Sequence, residues 1–204
     1  MTDRSAEILD KIVAMEAEIE QRLEAQRKLF RYTIERKRVI FEAAARAQHI
    51  KLRTGIVRFL LNSGGLQLVA AVVIYLLIFP MMLLDLAVSI FQFVCFPIYG
   101  IAKVQRGDYI VMDRHHLGYL NGIEKLNCVY CGYANGLLAY AREIAGRTEE
   151  HFCPIKHARI ARGQHRRYYT FADYGDAEGF RKKTAEIEAQ AEAERTRIAT
   201  PGRE

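Results

Sequence analysis

Between Phe59 and Ala102 the chain runs for 44 residues with one formally charged side chain, Asp85, and the flanks on both sides are densely basic. A bilayer's hydrocarbon core is about 30 Å thick and takes about 20 apolar residues per helical crossing, so this stretch is long enough for two. A single crossing would leave roughly twenty apolar residues in water. The economical solution is a helical hairpin, descending through about Leu66–Leu83 and returning through about Leu86–Ala102.

Orientation follows from the flanks. Lys51, Arg53 and Arg58 precede the stretch, Lys103, Arg106 and Arg114 follow it, and the tip at 80–85 carries neither Lys nor Arg. Basic residues concentrate on the cytoplasmic side of membranes, so both termini are expected in the cytoplasm. The tip, Pro-Met-Met-Leu-Leu-Asp, is short and apolar. A re-entrant hairpin that never emerges on the far side therefore stands beside the spanning one.

With the hairpin subtracted, 204 residues leave room for only one small domain and a tail after it. The expected fold is mainly α, in four parts. An N-terminal amphipathic, partly coiled-coil-like arm covers 1–57 and the membrane hairpin 58–104. A small helical cytoplasmic Cys/His module with a basic tail covers 105–172, and a charged C-terminal helix and tail 173–204. The opening MTDRSAEILDK is charged and has no apolar run, so it does not read as a cleavable signal peptide.

Residues 5–57 contain no Pro, and their one Gly is Gly55. With Ala, Glu, Arg and Leu abundant, they read as one long helix. Ile8, Ile12, Met15, Ile19 and Leu23 form an apolar stripe at helical spacing, suited to packing on the same chain, on a second copy or on a partner protein. Charge is graded along this arm: residues 1–24 hold seven acidic and three basic side chains, residues 27–58 ten basic and two acidic. That gradient suits a helix leaving an anionic membrane surface.

After the hairpin, 109–112 reads as a short strand, 116–127 and 135–152 as two helices, and 131–136 as the break between them. Leu137, Leu138, Tyr140, Ala141 and Ile144 supply a buried face. The final helix, about 176–199, has few large apolar groups and is expected to dock loosely or not at all.

The strongest chemical signal lies in the module. Cys128-Val-Tyr-Cys131-Gly132 is followed after a gap of 21 residues by Cys153-Pro-Ile-Lys-His157. Two ligands two residues apart and two more three apart can close a tetrahedral Cys3His site. Soft thiolates with one imidazole favour zinc over iron or an iron–sulfur cluster. Gly132 suits the tight turn of a zinc knuckle. His115, His116 and His151 are alternative nitrogen ligands, and Asp113 with Glu124 would supply carboxylates for iron. A second reading makes Cys128 and Cys131 a thiol redox pair, activated by the amino end of the helix beginning near Asn135. Cys95, inside the apolar stretch, reads as an inert packed thiol.

No acidic residue occurs between Cys153 and Phe171, where Arg159, Arg162, Arg166 and Arg167 precede Tyr168-Tyr169. Juxtamembrane basic clusters bind anionic lipid at about 1 kcal/mol per residue. These arginines, with Lys51, Arg53, Arg58, Lys103 and Arg106 around the hairpin, are the expected headgroup contacts. The same basic–aromatic mixture binds RNA elsewhere, but beside a membrane hairpin lipid is favoured over nucleic acid. No Walker loop, dinucleotide fingerprint, GxSxG elbow or HExxH is present, so hydrolase and nucleotide-enzyme readings have no support.

The block DRHHLGYLNGIEKLNCVYCGYANGLLAYAREIAGRTEEHFCPIKHA, residues 113–158, resembles one found in small bacterial inner-membrane proteins of unassigned function. The resemblance covers under a quarter of the chain. It implies a bacterial inner-membrane protein and supplies no activity or catalytic residue. Three readings follow: a membrane-anchored, non-enzymatic, zinc-stabilised interaction or assembly protein; a membrane-bound thiol redox component; and a scaffold acting by membrane insertion and self-association.

Overall fold

The structure is a computed structural model that describes residues 2–30, 32–35, 38–159 and 161–199. It is mainly helical. In chain order the elements are α1 (Thr2–Leu29), a hairpin of β1 (Tyr32–Glu35) and β2 (Arg38–Phe41), α2 (Ala43–Lys51), α3 (Ile56–Asn62), α4 (Gly65–Leu76) and α5 (Ile78–Tyr99). The short α6 (Arg106–Tyr109), a 3-10 turn at Arg114–His116, the long α7 (Gly122–Phe152), a 3-10 turn at Arg166–Thr170 and α8 (Ala177–Ala199) complete the chain.

The expected helix over 5–57 is interrupted. α1 ends at Leu29, and the chain forms an antiparallel pair in which Tyr32 faces Phe41 and Glu35 faces Arg38. The reason is local composition. Tyr-Thr-Ile and Val-Ile-Phe bring together β-branched and aromatic residues that lose side-chain freedom in a helix and fit a pleated strand. Residues 36 and 37, between the strands, lie outside the described set.

The turn of the expected membrane hairpin does not form. Residues 80–85 lie inside α5, and Gly65–Tyr99 is one stretch of 35 residues, long and apolar enough to cross a membrane. Pro80 does not stop it, because it is the third residue of α5, where a missing N–H has no intrahelical partner to lose. The stop comes at Gly100, whose φ of +67° opens a left-handed cap. Gly100 N–H donates to Pro97 O (3.3 Å) and Ile101 N–H to Phe96 O (2.8 Å), the paired bonds of a Schellman end. Ile101 and Phe96, the apolar partners of that motif, are both buried.

The sides of this stretch differ sharply. Ala71, Tyr75, Ile78, Met81, Asp85, Ser89, Gln92 and Phe96 recur every three or four residues, and these are half-buried or buried. Most of the marked polarity, namely Tyr75, Asp85, Ser89 and Gln92, lies on that covered stripe; Gln67 and Tyr99, near the two ends, are exposed. The other exposed positions are apolar: Leu66 is 87% exposed, Phe79 67% and Phe93 70%.

The chain forms two compact units. One comprises 1–10, 83–109 and 138–204; the other comprises 11–82 and 110–137. In the first, Phe96, Ile101, Val104, Tyr140, Ile144, Phe171, Ile187 and Ala191 form the core. α8 is therefore docked, contrary to the loose attachment expected from its composition. Ile187 and Ala191 are its buried positions, and Gly100 lets the chain press against it: a Cβ there would meet Ala191 O at 2.1 Å. In the second unit Ile110, Asn121, Ala134 and Leu137 are buried.

α7 replaces the two helices expected around a break at 131–136. It starts with a reciprocal cap. Asn121 Oδ1 accepts from the N–H groups of Ile123 and Glu124 (both 3.0 Å), and Glu124 accepts from Asn121 N–H (2.8 Å). Gly132 is accommodated in mid-helix, where a Cβ would sit 3.1 Å from Val111 O; its role is close approach, not a knuckle turn. Its neighbours 110–112 form no strand. The buried face includes Leu137, Tyr140 and Ile144, whereas Leu138 is exposed and Ala141 half-buried.

Candidate functional site

In the first unit the segment after α5 folds back along that helix, and the stripe's polar residues hold it there. Gln92 is 8% exposed and treats Val104 as a strand partner would: its Nε2 donates to Val104 O (3.3 Å), and its Oε1 accepts from Val104 N–H (2.9 Å). Gln92 Nε2 also bonds the Tyr140 hydroxyl. Two residues further on, Arg106 grips Asp85 with both ends of its fork, Nε to Oδ1 at 3.1 Å and Nη2 to Oδ2 at 2.6 Å. The one charge within the apolar stretch is thereby neutralised. Arg106, expected at lipid headgroups, is committed to this pair, although its side chain stays about half exposed.

A second network ties α7 to the basic segment. Arg147 donates to Glu143 (2.9 Å) and to Ala102 O (2.6 Å). Arg167 donates to Glu150 (2.7 Å) and Glu143 (3.3 Å), while its Nε is buried without a partner. Burial opposes the Arg167 charge, but the two carboxylates outweigh it and hold the guanidinium above its ordinary range. Arg167 is thus structural, not a free lipid contact. His165 binds Glu149 at 2.7 Å, and Lys156 binds Asp173 at 2.8 Å, beside a short parallel bridge between Ile155 and Ala172. Arg159, Arg162 and Arg166 are exposed, as are Lys51, Arg53 and Arg58. Lys103 lies over the Phe93 ring at 4.5 Å. A cleft of about 250 Å³ between α7, α8 and the Gly100 turn is lined by Arg147, Glu150, His151, Arg167 and Glu194. Burial, followed by the Arg195 charge, pushes His151 below the usual imidazole range.

The expected metal ligands are distributed along α7 and beyond. Cys128 is half-buried and Cys131 exposed, three residues apart on one side of the helix, and Asn135 Nδ2 donates to Cys131 O (2.9 Å). Cys153 is the first residue after α7, exposed, and 22 residues further along the chain. His157 is also exposed, stacked on Tyr168 with centroids 5.7 Å apart, and its N–H donates to the Tyr168 hydroxyl. His115 and His116 lie ring against ring at 4.0 Å, and His151 packs on Tyr99 and Phe152. Among the described residues no three His, Cys, Asp or Glu side chains gather as a metal site would require. Glu124, considered with the histidines, is used in the α7 cap. Cys128 and Cys131 are two turns into α7, beyond the first turn where a helix dipole acts.

The second unit contains features with no counterpart in the sequence reading. Tyr130, inside the CxxC, donates to Ile74 O (2.8 Å), and Asn127 bonds the Tyr75 hydroxyl, so the CxxC turn of α7 rests on α4. A pocket of about 440 Å³ is walled by the β-hairpin, α2 and the 113–119 segment. No family model matches the sequence, and neither the curated proteins nor the solved structures yield a match.

Proposed function

We propose that this chain is a membrane-bound, non-enzymatic scaffold or assembly protein of the bacterial inner membrane, held by lipid along Gly65–Tyr99 and presenting α1 to a second copy. One observation carries the reading: the polarity of that helix is reversed. Apart from Gln67 and Tyr99 near its ends, its polar residues turn toward protein, and its other exposed positions are apolar. In water this arrangement is costly; in hydrocarbon it keeps the polar side chains of the helix's central part against protein.

The same features favour a helix lying in one leaflet over a straight crossing. Thirty-five residues measure about 52 Å at 1.5 Å per residue, against about 30 Å of hydrocarbon. Submerging the whole helix would bury the half-exposed Arg106–Asp85 pair. Basic residues at both ends, Lys51, Arg53 and Arg58 before it and Lys103 after it, suit anionic headgroups on the same, cytoplasmic face. The exposed Arg159, Arg162 and Arg166 would add to that contact. Both termini are then cytoplasmic.

α1 supplies the arm. Met15 and Ile19 are more than half exposed and Leu23 nearly so, an apolar line at spacings of four without cover in a single copy. The test is topology plus assembly. In a cysteine-free variant reconstituted into vesicles, Ser63→Cys and Lys103→Cys should react with an impermeant thiol reagent from the same side, and an Ile19→Lys change should reduce the oligomer to monomer. Labelling from opposite sides would refute the leaflet-bound helix.

A second reading concerns zinc. Cys128 and Cys131 on one side of α7 are half of a tetrahedral thiolate set, which two copies would complete. It predicts one zinc per two chains, lost with Cys131→Ser; one zinc per chain would instead support the single-copy Cys128, Cys131, Cys153 and His157 set.

A further inference from the structure

We propose that the pocket of the second unit binds the headgroup of a zwitterionic phospholipid of the phosphoethanolamine class. The inference rests on the lipid-bound reading above and names the lipid that the molecule recognises.

The pocket offers three polar groups with no work to do inside the protein. His49 Nδ1 is buried and lacks a hydrogen-bond partner. Among the described residues, neither the Arg114 guanidinium nor the Asp113 carboxylate makes a hydrogen bond or ion pair. The three residues, His49 by its ring, line a cavity of about 440 Å³, within the size range of ligand pockets.

The walls specify the rest of the ligand. Rings follow one another at steep angles: Tyr32 to Phe41 at 5.4 Å and 43°, Phe41 to His49 at 4.9 Å and 71°, His49 to Tyr119 at 5.1 Å and 89°. These rings pack on one another in the usual tilted and edge-to-face manner, and all four line the pocket. Aromatic walls beside a carboxylate attract an ammonium group, and a guanidinium beside an imidazole donor attracts a phosphate. A simple anion would leave Asp113 opposed to it, and a simple cation would leave Arg114 so. A ligand carrying both charges, phosphate toward Arg114 and His49 and ammonium toward Asp113 and the rings, uses every group. Leu52 and Leu117 complete the lining and suit the first acyl carbons.

The experiment uses the full chain in a mild detergent and water-soluble probes followed by NMR titration. Dihexanoylphosphatidylethanolamine should bind at least fivefold more tightly than dihexanoylphosphatidylglycerol, which has the phosphate without the ammonium. Asp113→Asn should erase that preference, and Arg114→Gln should weaken both lipids about tenfold. Neither variant should change retention of the protein in alkali-washed membranes, so a failure here is separable from failure of the membrane reading. Equal binding of the two lipids by the parent protein, or variants that bind as the parent does, would overturn the proposal. Free O-phosphoethanolamine binding as tightly as the lipid would assign the pocket to a soluble ligand and overturn it equally.

Discussion

Replacing Gln92 by Leu tests whether the polar stripe of α5 faces protein. In the structure the Gln92 amide satisfies both backbone groups of Val104, itself 5% exposed, and the hydroxyl of the buried Tyr140. Leucine is nearly isosteric and more apolar, yet it leaves three buried polar atoms without their partner. Each such atom costs about 1–3 kcal/mol, and the added apolar burial returns about 1–2 kcal/mol. Three such atoms cost about 3–9 kcal/mol against that return, so the net loss expected is about 1–8 kcal/mol. For a chain of this size each kcal/mol moves the melting midpoint by about 2–4 °C, giving a drop between about 2 and 30 °C in the helical circular-dichroism signal measured in mild detergent. Val94→Ala, on the exposed side, should shift it far less, within about 1 kcal/mol. If Gln92→Leu leaves the midpoint unchanged or raises it, position 92 faces lipid and the assignment of faces is wrong.

Other outcomes follow from single residues. Gly100→Ala forces a left-handed backbone onto a residue with a side chain and drives a Cβ into Ala191 O; about 2 kcal/mol or more should be lost, and trypsin should cut faster at Arg181–Lys183 as α8 detaches. His151 is held below its ordinary value of about 6.5 by burial first and by Arg195 second. The unfolded chain therefore binds more protons just below pH 6.5, so stability is full above that pH and declines as pH falls beneath it; His151→Asn should flatten a melting series from pH 7 to pH 5. Asn121→Ala removes the acceptor that caps α7 and should lower stability by about 1 kcal/mol or more in the same melts.

The apolar stretch and its basic flanks were legible because composition alone marks them, and so was the helical character of α1, α7 and α8. The connection between them was not. Pro80 read as a hairpin tip, but a proline in the first turn of a helix is compatible with continuation, and residues 80–85 carry no other break. Tyr32–Phe41 was absorbed into a long helix because no Gly or Pro marks it; the cluster of β-branched and aromatic residues was the available signal. The capping pair Asn121 and Glu124 was the available signal for where α7 begins, but the helix was expected from 116, and the Gly residues at 132 and 136 suggested a break that tertiary contact makes unnecessary. At the candidate site, spacing showed that Cys128, Cys131, Cys153 and His157 were suitable ligands. It carried no information on the continuous helix α7, which contains two of them and ends just before the other two. Arg106 and Arg167 read as lipid contacts because their partners, Asp85, Glu143 and Glu150, are distant in sequence.

The central claim, that lipid covers the outer side of Gly65–Tyr99, is open to one direct measurement. The chain contains no Trp, so a tryptophan placed at Phe79, Phe93 or Gln92 is the sole reporter in each variant. In vesicles of brominated phospholipid, emission from Phe79→Trp and Phe93→Trp should be strongly quenched, at similar depth within one leaflet, and emission from Gln92→Trp much less. Equal quenching at Phe93 and Gln92, or none at any of the three positions, would contradict the account.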